Sequence, residues 1–373
     1  MKNEQKLKFL FHLLYTLIMK AIIRTAAKIE NDIIINEINR CFIPIREEGF
    51  DFRKEQRKIY EDGRVNAHIH TVATINDSII GVVGNLPYFM TINNLKYPFT
   101  FIGSVCVDEH YRGQGILKDM MEYTEEQNYK NGQIFSCLTG DEKLYNKFGF
   151  YKGVSNDIYV VNKIFLKNKD KVSLIKYKDV FFNDVFELYN SKPNALARQR
   201  GNFIESIDGA SELYVVMKEG KFIGYLSYLK KRNAIIELYL KDNKYMPSVL
   251  REACNVFNKS TIYIRHNILD EDIAKEYKKK HFIKVNKYDL MIKVYNLKGF
   301  LELLLEYNHK YGFIPNDYYH KFIYDGMLYE LAYGVKLTPI STDKQISKEK
   351  LLKHLFSKKG ANLRFEIPAP EEF

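Results

Sequence analysis

Residues Arg112-Gly113-Gln114-Gly115 stand between the apolar run "FTFIGSVCV" and the run "GILKDMMEYTEEQ". A buried strand that turns through glycine into a helix exposes backbone N–H groups at the positive end of the helix dipole. Without side chains at that point, an anion reaches the main chain. The chemistry such a turn serves is the holding of a pyrophosphate, with Arg112 adding charge. A plain strand-to-helix turn also uses glycine, so the turn alone does not decide. Further on, Tyr145 in "DEKLYNKFGF" places a phenol on a short helix, where a core tyrosine is the plain reading among the 28 in the chain. His68 and His70 in "AHIHT" would share a strand face as metal ligands do. No third ligand is marked by spacing, so the reading is structural and no metal is expected. Cys137 lacks a marked histidine partner and reads as a buried strand cysteine rather than a nucleophile.

The elements that must position these residues are legible as pattern. A short strand over Ala21–Arg24 precedes a helix over Asn31–Cys41, apolar at Ile33, Ile34, Ile38 and Cys41. After a charged stretch from Arg46 to Arg64 come the strand candidates "HIHTVATI", "SIIGVVGNLPYFMTI" and "YPFTFIGSVCV", with turns at Asn76-Asp77 and Asn93-Asn94. Residues 113–129 are helical, with Leu117, Met120, Met121 and Tyr123 or Thr124 facing inward. "QIFSCLT", "DEKLYNKF" and "DIYVVNKIF" continue as strand, short helix and strand, the alternation of a mixed α/β domain. A second stretch echoes the first: "NDSIIGVVGNLPY" around Gly81 returns as "KEGKFIGYLSYLK" around Gly224. "EKLYNKFGF" returns as "AKEYKKKHF", so that Tyr145 and Phe150 correspond to Tyr277 and Phe282. From about Leu297 a third unit follows, with the helix "LKGFLELLLEYNHKY", two strands around "YYHKFIYDGMLYELAYGV" and the helix "SKEKLLKHLF". The prolines of "RFEIPAPEEF" read as an extended tail.

Strand, R-G-x-G turn, helix, strand and a short helix with a tyrosine follow in the order found in the GNAT acetyltransferases, and here the chain resembles that family. Its signature, Gln/Arg-x-x-Gly-x-Gly/Ala, falls on Arg112, Gly115 and Leu117. Leu117 departs from the small residue the family places last. That departure fits the enhanced intracellular survival (Eis) branch, which also carries a second GNAT repeat without cofactor and a C-terminal domain resembling sterol carrier proteins. The resemblance covers nearly everything from Met19 on and is specific over 105–150. It implies an α/β (α+β) chain of tandem GNAT folds with mixed central sheets, followed by a small α+β domain. The expected divisions are an extension at 1–18, a catalytic domain at 19–166, a second GNAT-like domain at 167–295 and the sterol-carrier-like domain at 296–373.

The same resemblance implies an acetyl-CoA-dependent N-acetyltransferase. Val105 and Val107 would hydrogen-bond the pantetheine arm and the thioester carbonyl. Arg112, Gly113, Gly115 and Ile116 would hold the pyrophosphate, and Tyr145 would protonate the departing thiolate. A phenol of pKa ~10 giving its proton to a thiolate whose acid lies near ~8.5 is a modest uphill transfer. In the Eis branch the terminal carboxylate acts as base, which assigns that role to Phe373, with Glu371 and Glu372 drawing in a cationic substrate. Phe42, Glu47 and Glu48, just after the first helix, are acceptor-site candidates. The second copy has no glycine from Arg232 to Lys259, so only the first copy is expected to hold cofactor. The acceptor would be a primary amine of a small cationic molecule or a lysine side chain, and the resemblance implies a homo-oligomer.

Composition bounds these readings. With 373 residues, 46% hydrophobic and 14% aromatic, the chain buries two or three domain cores. The net charge of +11 comes from lysines interleaved with acids, not from a basic stripe, so a nucleic-acid partner is not expected. Cys41, Cys106, Cys137 and Cys254 form no CxxC pair, which fits a reducing cytoplasm. The apolar run from Phe9 to Met19 is too short to span a bilayer, and Lys20 stands where a signal peptide has a small residue. Met19 therefore reads as a natural start, with no membrane association. A reading from another class stays open: a non-catalytic acyl-CoA- or lipid-binding protein on the same scaffold.

Overall fold

The computed structural model describes residues 20–42, 50–61, 63–166, 170–191, 198, 200–204, 207, 211–266, 282–332, 334–340 and 345–365. The expectations placed on residues 1–18, Met19, Glu47, Glu48, Tyr277, Glu371, Glu372 and Phe373 lie outside the described residues. The chain forms two compact units. One takes the residues up to Pro87 with Thr100–Gly132, and the other takes Tyr88–Phe99 and the residues from Gln133 on.

The first unit opens with strand β1 (Ile22–Thr25) and helix α1 (Asn31–Phe42). Ile34, Ile35 and Ile38 of α1 are buried, whereas Ile33, expected inward, is exposed. The charged stretch after it holds two one-turn helices that periodicity could not reveal, α2 (Phe52–Glu55) and α3 (Arg57–Tyr60). Asp51 caps α2 by accepting from the Arg53 N–H at 3.0 Å, and Asn39 accepts from the Phe52 N–H at 2.9 Å. Strand β2 (His70–Ile75) is buried along its length. Strands β3 (Ser78–Ile92) and β4 (Leu95–Val107) are joined at Asn93-Asn94, and β2 and β3 at Asn76-Asp77. All four turn residues have positive φ, the geometry of a two-residue hairpin turn, which asparagine and aspartate tolerate. The order is β1-β2-β3-β4, with β1–β2 and β2–β3 antiparallel. Helix α4 (Ile116–Lys130) buries Ile116, Met120, Met121 and Thr124.

The second unit continues with β5 (Phe135–Leu138), α5 (Glu142–Tyr145), β6 (Tyr151–Asn162), β7 (Ser173–Lys176) and α6 (Phe182–Ser191). Strands β8 (Glu212–Lys218), β9 (Lys221–Leu229) and β10 (Ala234–Leu240) lead to α7 (Met246–Val256), β11 (Thr261–His266) and β12 (Ile283–Val294). These strands lie in the order β5-β12-β6-β11-β10-β9-β8-β7. β10 and β11 are parallel, and β12 runs antiparallel to both β5 and β6. Then follow α8 (Leu297–Lys310), a separate antiparallel sheet of β13 (His320–Tyr324), β14 (Met327–Leu331) and β15 (Val335–Pro339), and α9 (Lys348–Phe356). Two strands were expected there; β15 is a short edge strand, half-buried or exposed, and leaves little pattern. The architecture is a mixed α/β fold.

One arrangement occurs twice. Ala73 pairs with Gly81 and Thr74 with Ile79, which leaves Ile80 bulged out of register. In the second unit Val216 pairs with Gly224 and Met217 with Phe222, leaving Ile223 bulged in the same way. The Ile80 carbonyl accepts from the Asp108 N–H at 2.9 Å, and the Ile223 carbonyl accepts from the Lys241 N–H at 2.8 Å. Each glycine admits a close backbone: a Cβ on Gly81 would stand 3.2 Å from the Cys106 carbonyl oxygen, and one on Gly224 would stand 2.4 Å from that of Tyr239.

Candidate active site

Strand β4 is bent before it reaches the glycine turn. Ser104 is buried and adopts φ +49, in the left-handed region, an unusual position for a residue that is not glycine, asparagine or aspartate. Val105 and Val107 follow, both half-buried, with Cys106 buried between them. After Val107 the chain is fixed by Asp108. Its carboxylate accepts from the His110 N–H and sits 2.9 Å from His110 Nδ1, closing the one-turn segment Glu109–Tyr111. Arg40 of α1 also donates to Asp108 and holds Glu37 with two bonds at 3.0 and 2.7 Å. Burial pushes the Asp108 carboxyl up, but the hydrogen bonds from His110 and Arg40 outweigh it and hold the group below its usual range. The Glu37 hydrogen bond, with Asp108 in support, raises the Arg40 guanidinium further.

Arg112 comes next. It is exposed and folds back so that its Nε donates to the Val107 carbonyl at 3.0 Å. Gly113 and Gly115 take φ +77 and +84, and nothing lies within 4 Å of where a Cβ would stand on either. The requirement for glycine is therefore conformational, and the backbone it leaves bare is open. Gly115 is the N-cap of α4 and supplies no side-chain cap; the first N–H groups of a helix have no partner within it. The first unit thus brings Val105, Val107, Arg112, Gly113, Gly115 and Ile116 together at one strand end and one helix start. An open backbone turn at the positive end of a 15-residue helix, flanked by a guanidinium, is a place where an anion such as a phosphate group can be held.

Phe42 stands at the end of α1 with its ring edge against Phe52 at 5.2 Å, so it packs on the interior. Tyr145 belongs to the second unit. Asp141 caps its helix through the Lys143 N–H at 2.8 Å, and Gly140, at φ +147, makes room for the ring: a Cβ there would be 2.7 Å from Tyr145 Cε2. The phenol is largely buried, with Phe148 and Phe150 beside it.

His68 and His70 do not share a strand face. His68 is exposed in the one-turn helix Ala67–Ile69, and only His70 enters β2, where it is fully buried. Among the described residues no three metal-binding side chains cluster. Cys137 is buried, and burial pushes its thiol up, as expected of a structural cysteine. None of the four cysteines is joined in a disulfide. Asp108, Arg40, Glu37, Tyr60 and Ser104 escaped the sequence reading. Asp108 left a signal, an aspartate directly after a strand that bonds its own backbone two residues on; Glu37 and Arg40 are only an ordinary i,i+3 pair in sequence, and the contacts of Arg40 to Asp108 and of Tyr60 to Ser104 join residues far apart in the chain.

The second unit shows the contrast. The segment Asn243–Tyr245 runs straight into α7, with no glycine turn and with a proline in its first turn. Met246, Pro247 and Ser248 are buried, and the Ser248 hydroxyl accepts from the Asp170 N–H at 3.2 Å. This helix start is covered where that of α4 is bare.

Residues 23–153 match the model of an acetyltransferase (GNAT) domain. No curated protein matches the chain. Among solved structures the chain is similar to a GCN5-related N-acetyltransferase from Anabaena variabilis, with TM-score 0.66 and 15% identity over 91% of this chain and 90% of that one. It is similar also to one from Kribbella flavida, with TM-score 0.66 and 15% identity over 89% of each chain. Eis1 from Mycobacterium abscessus gives TM-score 0.63 and 11% identity over 89% of this chain and 88% of that one. At these identities the likeness is one of fold, and the mixed α/β architecture is GNAT-like.

Proposed function

We propose that the GNAT domain at residues 23–153 makes this chain an acetyl-CoA-dependent N-acetyltransferase acting on the primary amine of a small cationic molecule or a lysine side chain. The observation that carries the reading is the open turn Arg112–Gly115 at the start of α4, with both glycines at positive φ and Arg112 returned onto the Val107 carbonyl. Acetyl-CoA supplies an acyl group activated as a thioester. Backbone groups of Val105 and Val107 would orient the pantetheine arm and the thioester oxygen, and Arg112, Gly113, Gly115 and Ile116 would hold the pyrophosphate. The Phe373 carboxylate would take one proton from the ammonium; the neutral amine attacks the thioester carbonyl, the C–N bond forms, the C–S bond breaks, nitrogen releases its second proton to solvent and the sulfur takes a proton. We assign that proton to the Tyr145 hydroxyl, on the strength of the tyrosine's place in the motif.

The repeated bulge, glycine and carbonyl bond at Ile80-Gly81 and Ile223-Gly224 support a tandem duplication, and the covered start of α7 supports a single cofactor site, in the first copy. The third segment, with α8, the β13–β15 sheet and α9, is proposed as the sterol-carrier-like unit. The protein is proposed to work in the cytoplasm as a homo-oligomer. No helix among the described residues is long and apolar enough to cross a membrane.

The test is thiol release from acetyl-CoA against polyamines, aminoglycosides and lysine peptides, with the intact chain and with a variant carrying one glycine after Phe373. Turnover of any amine upholds the enzyme, and its sharp loss in the extended variant upholds the Phe373 carboxylate as base. No turnover across the panel, with acetyl-CoA still bound, would favour the binding-protein reading.

A further inference from the structure

The bend in β4 has its own support. Tyr60, the last residue of α3, is buried, and its hydroxyl lies 2.7 Å from Ser104 Oγ and 2.9 Å from His70 Nε2. His70 Nδ1 faces the carbonyl oxygens of Asn66 and Ala67 at 3.1 and 3.2 Å. Carbonyls only accept, so the ring proton sits on Nδ1, and Nε2, which carries none, lies against the Tyr60 hydroxyl. All three side chains are buried, so each bond stands in a dry setting where a lost partner is costly. The supported residue is the one at φ +49, and the next in sequence is Val105.

We propose that Tyr60, backed by His70, is a positioning residue that holds Ser104 in its left-handed conformation and thereby aims the backbone of Val105–Val107 at the acyl donor. This rests on the acetyl-CoA reading above. The Tyr60 and His70 side chains are both buried. Their effect passes through one backbone torsion, and that makes it separable from a merely structural role: glycine at 104 takes positive φ without help, so it should remove the need for Tyr60.

The experiment compares Tyr60→Phe, Ser104→Gly and the double variant with the intact protein, by calorimetric titration of acetyl-CoA and by hydrogen exchange of the 100–107 segment. Tyr60→Phe is expected to weaken acetyl-CoA binding about tenfold, the scale of one lost buried hydrogen bond, and to speed exchange in that segment. Ser104→Gly should bind like the intact protein, and the double variant should recover to within about threefold of it. Ser104→Val, which cannot take positive φ, should lose affinity although Tyr60 is present, and this variant decides the matter if Tyr60→Phe does not fold. A Tyr60→Phe effect that glycine at 104 leaves unchanged, or a Ser104→Val variant that binds normally, would overturn the proposal. If the intact protein binds no acetyl-CoA, the acetyltransferase reading fails, while exchange at 100–107 still decides whether Tyr60 holds the bend.

Discussion

Tyr145 presses its ring over Gly140, and Phe at the same position would keep that packing while removing only the hydroxyl. Tyr145→Phe is therefore expected to lower kcat on the order of a hundredfold, with KM for acetyl-CoA within a few-fold. Steady-state thiol release measures this, and an unchanged kcat would make Tyr145 a core tyrosine. His70 gives a prediction in pH. Burial lowers its pKa from 6.5 to about 4, against the hydrogen bonds it makes to the Ala67 and Asn66 carbonyls, which raise it. Between those values the unfolded chain binds a proton that the folded chain refuses, so stability present above pH 6.5 is lost as the pH falls toward 4. The full loss is roughly 3 kcal/mol. Urea unfolding of the intact protein and of His70→Gln between pH 7 and 4.5 should converge as the pH falls; parallel curves would refute the assignment. At this scale legibility divides cleanly. Glycine at positive φ writes itself into the sequence, as at Gly113 and Gly115. A serine at positive φ, held by a tyrosine 44 positions away, does not.

Strands and helices with a full period were legible: β2, β3, β4 and α4 stand where alternation and the 3.6-residue repeat place them. The one-turn helices α2 and α3 were not, because four residues hold no period, and the start of α2 is fixed by Asp51 and Asn39 rather than by an apolar stripe. The two bulged glycines make a prediction about elements. A Cβ on Gly224 meets backbone, the Tyr239 carbonyl at 2.4 Å, while on Gly81 the nearest atom is the movable end of Met120 at 2.8 Å. Gly224→Ala should therefore cost about 2 kcal/mol or more and Gly81→Ala distinctly less, because a side-chain tip yields where a strand does not. Thermal unfolding compares them, and equal losses would show that the two contacts are not distinguished in this way.

For the whole molecule, the alternation of strands and helices gave the α/β class, and the echo around Gly81 and Gly224 falls where both units carry the same bulge, which the sequence did not foretell. The placement of β12 between β5 and β6 was not legible, since strand order across a long connection depends on pairing that no local pattern encodes. What separates the two helix starts is chemical: α4 begins in open glycine backbone, and α7 begins in buried Met246-Pro247-Ser248. The measurement that tests the acetyl-CoA site most directly is calorimetric titration of acetyl-CoA into the intact protein and into the Gly113→Ala/Gly115→Ala double variant. We expect one equivalent bound per chain, weakened tenfold or more by two alanines forced to positive φ at about 1 kcal/mol each. Undiminished binding by the double variant, or two equivalents per chain, would contradict a single donor site built on the Arg112–Gly115 turn.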